Sequence, residues 1–203
     1  MTGRIAKSDK AAAHRQAQRR RILAAAQERF IESGFHSASM ATIAKSAGVS
    51  PGLIYRYFEN KNAIILEIIN EQLAIVTQRI REMRRTDDLA SGIVAYFDAH
   101  DEADYGTMSA TLFLEIGAEA TRDSEIARAL GHFDSKVRAE FVEWFRRSVD
   151  KGGFGLDAKT AEQHALSLTI LLDGIKVRKA REPGLDRDLL KRSVVESLRA
   201  VGL

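Results

Sequence analysis

The chain has 203 residues and no cysteine, which excludes disulfide scaffolds, thiolate zinc sites and cysteine nucleophiles. Hydrophobic residues make up 45% and charged residues 29%, a globular rather than a disordered balance, and no apolar run approaches the ~18 residues of a membrane helix. The net charge is only +3, yet residues 1–62 hold eleven Lys/Arg against four Asp/Glu while residues 63–203 hold 20 against 24. A basic head on an acidic body suggests a polyanion-binding element; the bland alternative is a solvated terminus.

In chain order, residues 1–17 are basic and alanine-rich, with no regular apolar face and no apolar segment of the kind a secretory signal needs. They are expected to form a mobile basic arm, and the chain is expected to be cytoplasmic with no membrane partner. Arg4, Arg15 and Arg19 either reach a minor groove or phosphates, or belong to a solvated tail; the tail is the expectation. From about Gln18 to Ser33, Ile22, Ala26 and Phe30 share a helical face, and Gly34 is a natural stop. A long helix is expected from Asn62 to about Arg84 on Ile65, Ile69, Val76, Ile80 and Met83. Weaker helices follow at about 88–100 and 107–120.

The cleanest stripe is Ile126, Leu130, Phe133, Val137, Phe141 and Trp144, at steps of three and four, so one face of that helix is buried. Lys151-Gly152-Gly153-Phe154-Gly155 breaks it. Residues 159–181 are apolar on several faces, which fits either the hub of a domain or a surface shared with another chain. Pro183-Gly184 ends that helix, and a last amphipathic one spans about 186–200. No repeat and no strand alternation is present. The fold class is all-α.

Residues 39–61, SMATIAKSAGVSPGLIYRYFENK, carry the most specific pattern. Ser39 caps a short helix, 40–47, whose inner face is Ile43, Ala44 and Ala47. Gly48 turns the chain and Val49 plugs the corner. Ser50 then caps a second helix over 50–58, with Pro51 at its first position and Ile54 as inward anchor. A small residue at the crossing and a glycine at the corner are what a helix-turn-helix requires. Arg56 offers a bidentate pair to guanine, and Pro51 and Leu53 offer apolar contacts to thymine methyls. Gly52 allows close backbone approach. Tyr55, Tyr57, Ser39 and Thr42 offer hydroxyls to phosphates, and Lys61 adds a charge.

At these residues the chain resembles the TetR family of transcriptional regulators. Phe30-x3-Gly34-Phe35, Ile43-Ala44-x2-Ala47-Gly48-Val49-Ser50 and Tyr55-x-Tyr57-Phe58-x2-Lys61 carry the resemblance over about residues 18–70. Leu171-Leu172-Asp173-Gly174-Ile175, followed by Pro183-Gly184, resembles the start of the family's dimer-forming last helices. The resemblance implies about nine helices in a homodimer, binding a palindromic DNA operator as a repressor and released by a small-molecule effector. On it, Ser50 to Tyr57 and Lys61 contact DNA. Pro51 stands where a basic residue is common, Leu53 where Ser or Thr is common, and Ala38 where Thr is frequent. The implied organisation is an arm (1–17), a DNA-binding domain (18–64) and a helical ligand-binding and dimerisation domain (65–203).

Within the body, Phe97, Tyr105, Met108, Phe113, Phe141, Trp144, Phe145 and His164 are candidates to line a largely apolar effector pocket, against ordinary core packing. Leu168, Leu172, Ile175, Leu190, Val194 and Leu198 are candidates for the dimer interface. The long 62–84 helix would couple pocket to reading head. Enzymatic and metal chemistry find no support: there is no His-Glu-x-x-His, no Glu three residues before any histidine, and Asp101 to Leu112 lacks calcium-loop ligands. No cofactor is implied. A helical adaptor binding proteins through its 40–58 hairpin is the non-enzymatic alternative, disfavoured by Tyr55, Arg56 and Lys61 on the exposed face.

Overall fold

The structure, a computed structural model, describes the backbone of residues 2–84, 89–98 and 108–201, with side chains for 10–84, 89–95 and 108–201. Among the described residues there are nine α-helices, a single 3-10 turn at Val149–Lys151 and no strand. The helices are α1 (Thr2–Ser37), α2 (Met40–Ser46), α3 (Pro51–Tyr55), α4 (Lys61–Met83), α5 (Leu89–Asp98), α6 (Ala110–Ala120), α7 (Ser124–Arg146), α8 (Ala158–Arg181) and α9 (Arg187–Ala200). The chain divides into two compact units, Met1–Ile68 and Ile69–Leu203, so the boundary falls inside α4.

The first unit is built on α1. Ile22, Leu23, Ala26 and Phe30 of α1 are fully buried, as are Ile43, Ala44 and Ala47 of the α2 segment, Ile54, and Ile64, Ile65 and Ile68 of α4. The backbone leaves the helical region at Gly34 (φ 77°), where the sequence places the stop. At its other end α1 begins at Thr2 rather than near Gln18, so the expected arm is helical. Residues 10–17 are all exposed, which is why periodicity alone shows no helix there. Ala11, Ala12, Ala13 and Ala17 supply helix propensity without a buried face.

In the second unit α7 packs against α6 and α8, α6 against α8, and α5 against α9. The expected stripe on α7 is buried at Ile126, Phe133, Val137, Phe141 and Trp144; Leu130 is half-buried. Helices α6, α7, α8 and α9 each start on a side-chain cap, from Ser109, Asp123, Asp157 and Asp186 respectively. After α7 the glycine-rich segment folds back as a fastened turn. Trp144 Nε1 donates to the Gly152 carbonyl (3.0 Å), Gly155 N–H to the Arg147 carbonyl (2.8 Å) and Leu156 N–H to the Phe145 carbonyl (3.0 Å). A β-carbon on Gly153 would overlap the Arg147 carbonyl, so this close backbone approach requires glycine.

The C-terminal end of α4 is fixed to α7 by charge. Arg84 is almost fully buried and donates to the Glu140 carbonyl (2.6 Å) and carboxylate (2.7 Å), while Arg81 reaches the other carboxylate oxygen (2.7 Å). Partial burial pushes the Glu140 carboxyl up, but the hydrogen bonds and charges of Arg81 and Arg84 outweigh it and hold the carboxyl below its ordinary value. A depressed value stabilises the fold at neutral pH, and that stabilisation is lost as pH falls through the lowered value. Glu140→Gln is therefore expected to cost about 2 kcal/mol at pH 7, because it leaves Arg84 buried beside an uncharged partner. The gap to wild type closes as pH falls through that lowered value. Urea unfolding of both proteins across pH 3–7 measures it; a pH-independent gap would rule out the ion pair as its cause.

Candidate nucleic-acid interface

Two short helices and one corner create the site. Ser39 and Thr42 form a reciprocal capping box at α2: the Ser39 hydroxyl accepts from Thr42 N–H (3.1 Å) and the Thr42 hydroxyl accepts from Ser39 N–H (2.9 Å). Helix α2 closes with a Schellman turn, in which Val49 N–H donates to the Ala44 carbonyl (2.9 Å) and Gly48 N–H to the Lys45 carbonyl (3.1 Å). That turn needs a residue at φ +60°, which glycine supplies. Ser50 then accepts from Leu53 N–H (3.2 Å), and Pro51 opens α3 without a missing donor.

Helix α3 is shorter than the 50–58 span read from sequence. Its helical core is Pro51–Tyr55, after which Arg56 and Tyr57 wind more tightly, their N–H groups bonding three residues back to Leu53 and Ile54. Ile54 and Phe58 are buried beneath it. Opposite them, Ser50, Pro51, Gly52 and Arg56 are exposed, Tyr55 is 58% exposed, and Leu53 and Tyr57 are half-buried. Ser39 and Thr42 are exposed as well. No pairing partner within the described chain consumes Arg56.

Three other cations have structural duties. Arg21 donates to the Gly48 carbonyl (3.3 Å), stitching α1 to the corner. Arg19 pairs with Glu67 (2.9 Å) and lies 4.8 Å from the Phe58 ring centroid, locking α1 to α4. Lys61, expected at a phosphate, turns its ammonium to the Phe35 and His36 carbonyls (2.7 and 3.4 Å) and lies over the Phe35 ring. It closes the C-terminal end of α1, where unsatisfied carbonyls attract a cation.

The effector candidates are dispersed. The Phe97 side chain and Tyr105 lie outside the described residues, as does the Asp101 loop. Trp144 and Phe145 stack on each other and meet Phe154 edge-on at 5.9 and 5.3 Å, so they belong to the cluster that fastens the glycine turn. His164 meets the edge of Phe145, with a buried, unbonded Nδ1. Met108 and Phe113 are half-buried; Met108 N–H donates to Gln72, and Lys176 sits 4.3 Å over the Phe113 ring. Among the described candidates only Phe141 lines an apolar cavity, of about 40 Å³, bordered by Val76, Arg79, Ile80 and Met83 of α4, Ile93 of α5, Phe133, Val137 and Phe141 of α7, and Leu172 and Lys176 of α8. That volume holds a water or two, against the roughly 300 Å³ of a small ligand site. The unassigned Val76–Ile80–Met83 stripe was the sequence signal for it.

The dimer candidates are also redistributed. Leu168, Ile175, Val194 and Leu198 are buried within their own protomer, Leu172 lines the cavity and Leu190 is half-buried. On α8 and α9 the large apolar side chains left exposed are Leu166 and Ile170 (45% and 63%) and Leu189 (50%); elsewhere in the described second unit Val149 (73%) and Leu114 (37%) are exposed as well.

Two helices crossed at a glycine corner, with an exposed cation and aromatic hydroxyls on the second, define a helix-turn-helix DNA-binding protein. Residues 22–68 match the family model of bacterial regulatory proteins of the tetR family, and residues 85–202 match that of the C-terminal part of BetI-type transcriptional repressors. The HTH-type transcriptional regulator UidR of Escherichia coli K12 is 34% identical over 156 residues, 75% of this chain and 76% of that one. The structure of Salmonella enterica GusR superimposes with a TM-score of 0.71 at 30% identity, covering 90% of this chain and 96% of that one. The fatty acid degradation regulator FadR of Bacillus halodurans shares the fold, with a TM-score of 0.68 at 23% identity over 92% and 96% of the two chains. The chain belongs to the TetR family: it is a DNA-binding transcriptional regulator and not an enzyme.

Lys61→Met is expected to lower the stability of the first unit by about 1 kcal/mol, since it removes charged hydrogen bonds that are only partly shielded from water. The salt dependence of DNA binding separates the two roles: an unchanged slope means the ammonium stays on the carbonyls when DNA is bound. A drop of one unit in that slope would restore Lys61 to the phosphate role.

Proposed function

We propose that the protein is a homodimeric repressor that reads a palindromic operator with α3 and releases it when a small, largely apolar effector enters the second unit. Its place of action is the cytoplasm. The observation that carries the DNA reading is the outward placement of Tyr55 and Arg56 on a helix pinned by buried Ile54 and Phe58. In this reading Arg56 pairs with a guanine, Pro51 and Leu53 meet thymine methyls, and Ser39, Thr42, Ser50, Tyr55 and Tyr57 serve phosphates.

A single α3 spans too few base pairs for selective binding, and two-fold pairing places two heads one DNA turn apart, roughly 34–36 Å. The exposed Leu166 and Ile170, one helical turn apart on α8, together with Leu189 on α9, supply the apolar surface such pairing buries. The cavity supports the effector step by its location. Four of its lining residues come from α4, the helix that also contributes Ile64, Ile65 and Ile68 to the first unit. A ligand larger than the cavity must displace α4, α7 or α8 side chains to enter, and so favours a different α4 placement.

Selection of bound DNA from a random pool, at stated salt, tests the reading. A palindromic preference is expected, and Arg56→Ala should relax it at one base pair per half-site, a loss of about 1–3 kcal/mol of discrimination. Indifference to sequence in the wild type would refute it. Ile170→Glu should shift the protein to monomer in sedimentation and abolish cooperative operator binding while leaving helicity intact. A dimer that survives this change lies elsewhere.

A further inference from the structure

We infer that the exposed N-terminal part of α1 is a second DNA-contacting element, a rigid helical arm that lays a basic stripe along the phosphate backbone flanking each half-site. This rests on the helix-turn-helix being a DNA reader. Arg21 fixes the direction of the arm, because it is exposed and its guanidinium donates to the carbonyl of Gly48, the corner residue next to Ser50 and Pro51. At 100° per residue, His14 and Lys10, seven and eleven positions earlier, fall within about 20° of the azimuth of Arg21. They therefore share the side of α1 whose Arg21 meets the Gly48 corner, spaced over about 16 Å of helix length.

The remaining chemistry of the segment fits a polyanion. No acidic residue occurs between Asp9 and Glu28, while Lys10, Arg15, Arg19, Arg20 and Arg21 do. Of these only Arg19 is committed to an ion pair with the described chain. Lys10, His14, Arg15 and Arg20 are exposed. Ala17, on the same side as His14 and Arg21, offers no bulk to hold a phosphate away. The large apolar side chains a protein partner would need are missing from residues 10–17, which read KAAAHRQA. A helical segment that leaves residues 10–17 exposed and carries cations along the azimuth of Arg21 is suited to the sequence-independent attraction of a duplex. It would add affinity and register without adding base preference.

The test compares two single cations on the full-length chain. Lys10→Ala removes a stripe residue, and Arg15→Ala removes one about 120° away on the same segment. With the operator recovered by selection, Lys10→Ala should lower the slope of log affinity against log salt by roughly one unit per arm. Arg15→Ala should change it by much less, and both should keep the same selected sequence. Equal slopes in all three proteins mean a solvated tail and overturn the proposal, as does an equal loss in both variants, which means an unoriented polycation. Because the chain has no cysteine, Lys10→Cys also gives a unique attachment point for an iron chelate. DNA cleavage just outside each half-site supports the arm, and its absence with intact operator binding overturns it. Binding to anionic vesicles with an unaltered DNA slope would assign the stripe to a membrane surface instead. Failure of the wild type to bind any DNA would sink the underlying reading as well, and is distinguished by needing no variant.

Discussion

Ile54 has no exposed surface, and on a five-residue helix that single anchor sets the direction of every other side chain. With Ile54 inward against the α1–α2–α4 core, Arg56 and Tyr55 have nowhere to go but outward. Helix α3 is too short to persist by its own hydrogen bonds, so its form depends on tertiary packing and on its ends. The Ser50 cap, Pro51 and the Schellman corner at Gly48 settle one end, and buried Phe58 the other. The reading surface is thus a by-product of how a small core is closed.

Around that core, the cations divide by duty. Arg19, Arg21 and Lys61 hold α1 against the corner and α4, each by bonding a carbonyl or carboxylate within the first unit. The second unit repeats the device at the far end of α4, where Arg81 and Arg84 bracket Glu140. Each end of α4 is thus secured by charge within its own unit.

Much of this was legible in the residues. Ser39, Gly48, Ser50 and Pro51 announce caps and corner because each has a backbone task few other residues perform, and the α7 stripe from Ile126 to Trp144 announces a buried face. Periodicity shows which face is buried and is silent on what buries it. That is why Leu168 and Val194 look like dimer residues and turn out to be core, while Leu166 and Ile170 stand outside. The same blindness hides Lys61, whose partners are backbone carbonyls 25 and 26 residues away, and the cavity, whose walls come from four helices. The alanine-rich start of α1 escaped for the opposite reason: it has propensity and no burial.

Trp144 is the chain's one indole. It is nearly sealed from water, bonded through Nε1 to Gly152 and one helical turn from Phe141, which borders the cavity. Light emitted by this protein under ultraviolet excitation of tryptophan therefore has a single origin, close to the cavity bordered by Phe141. Spectral changes there can be ascribed to one side chain, giving the molecule an internal gauge of the packing around α7 that needs no dye.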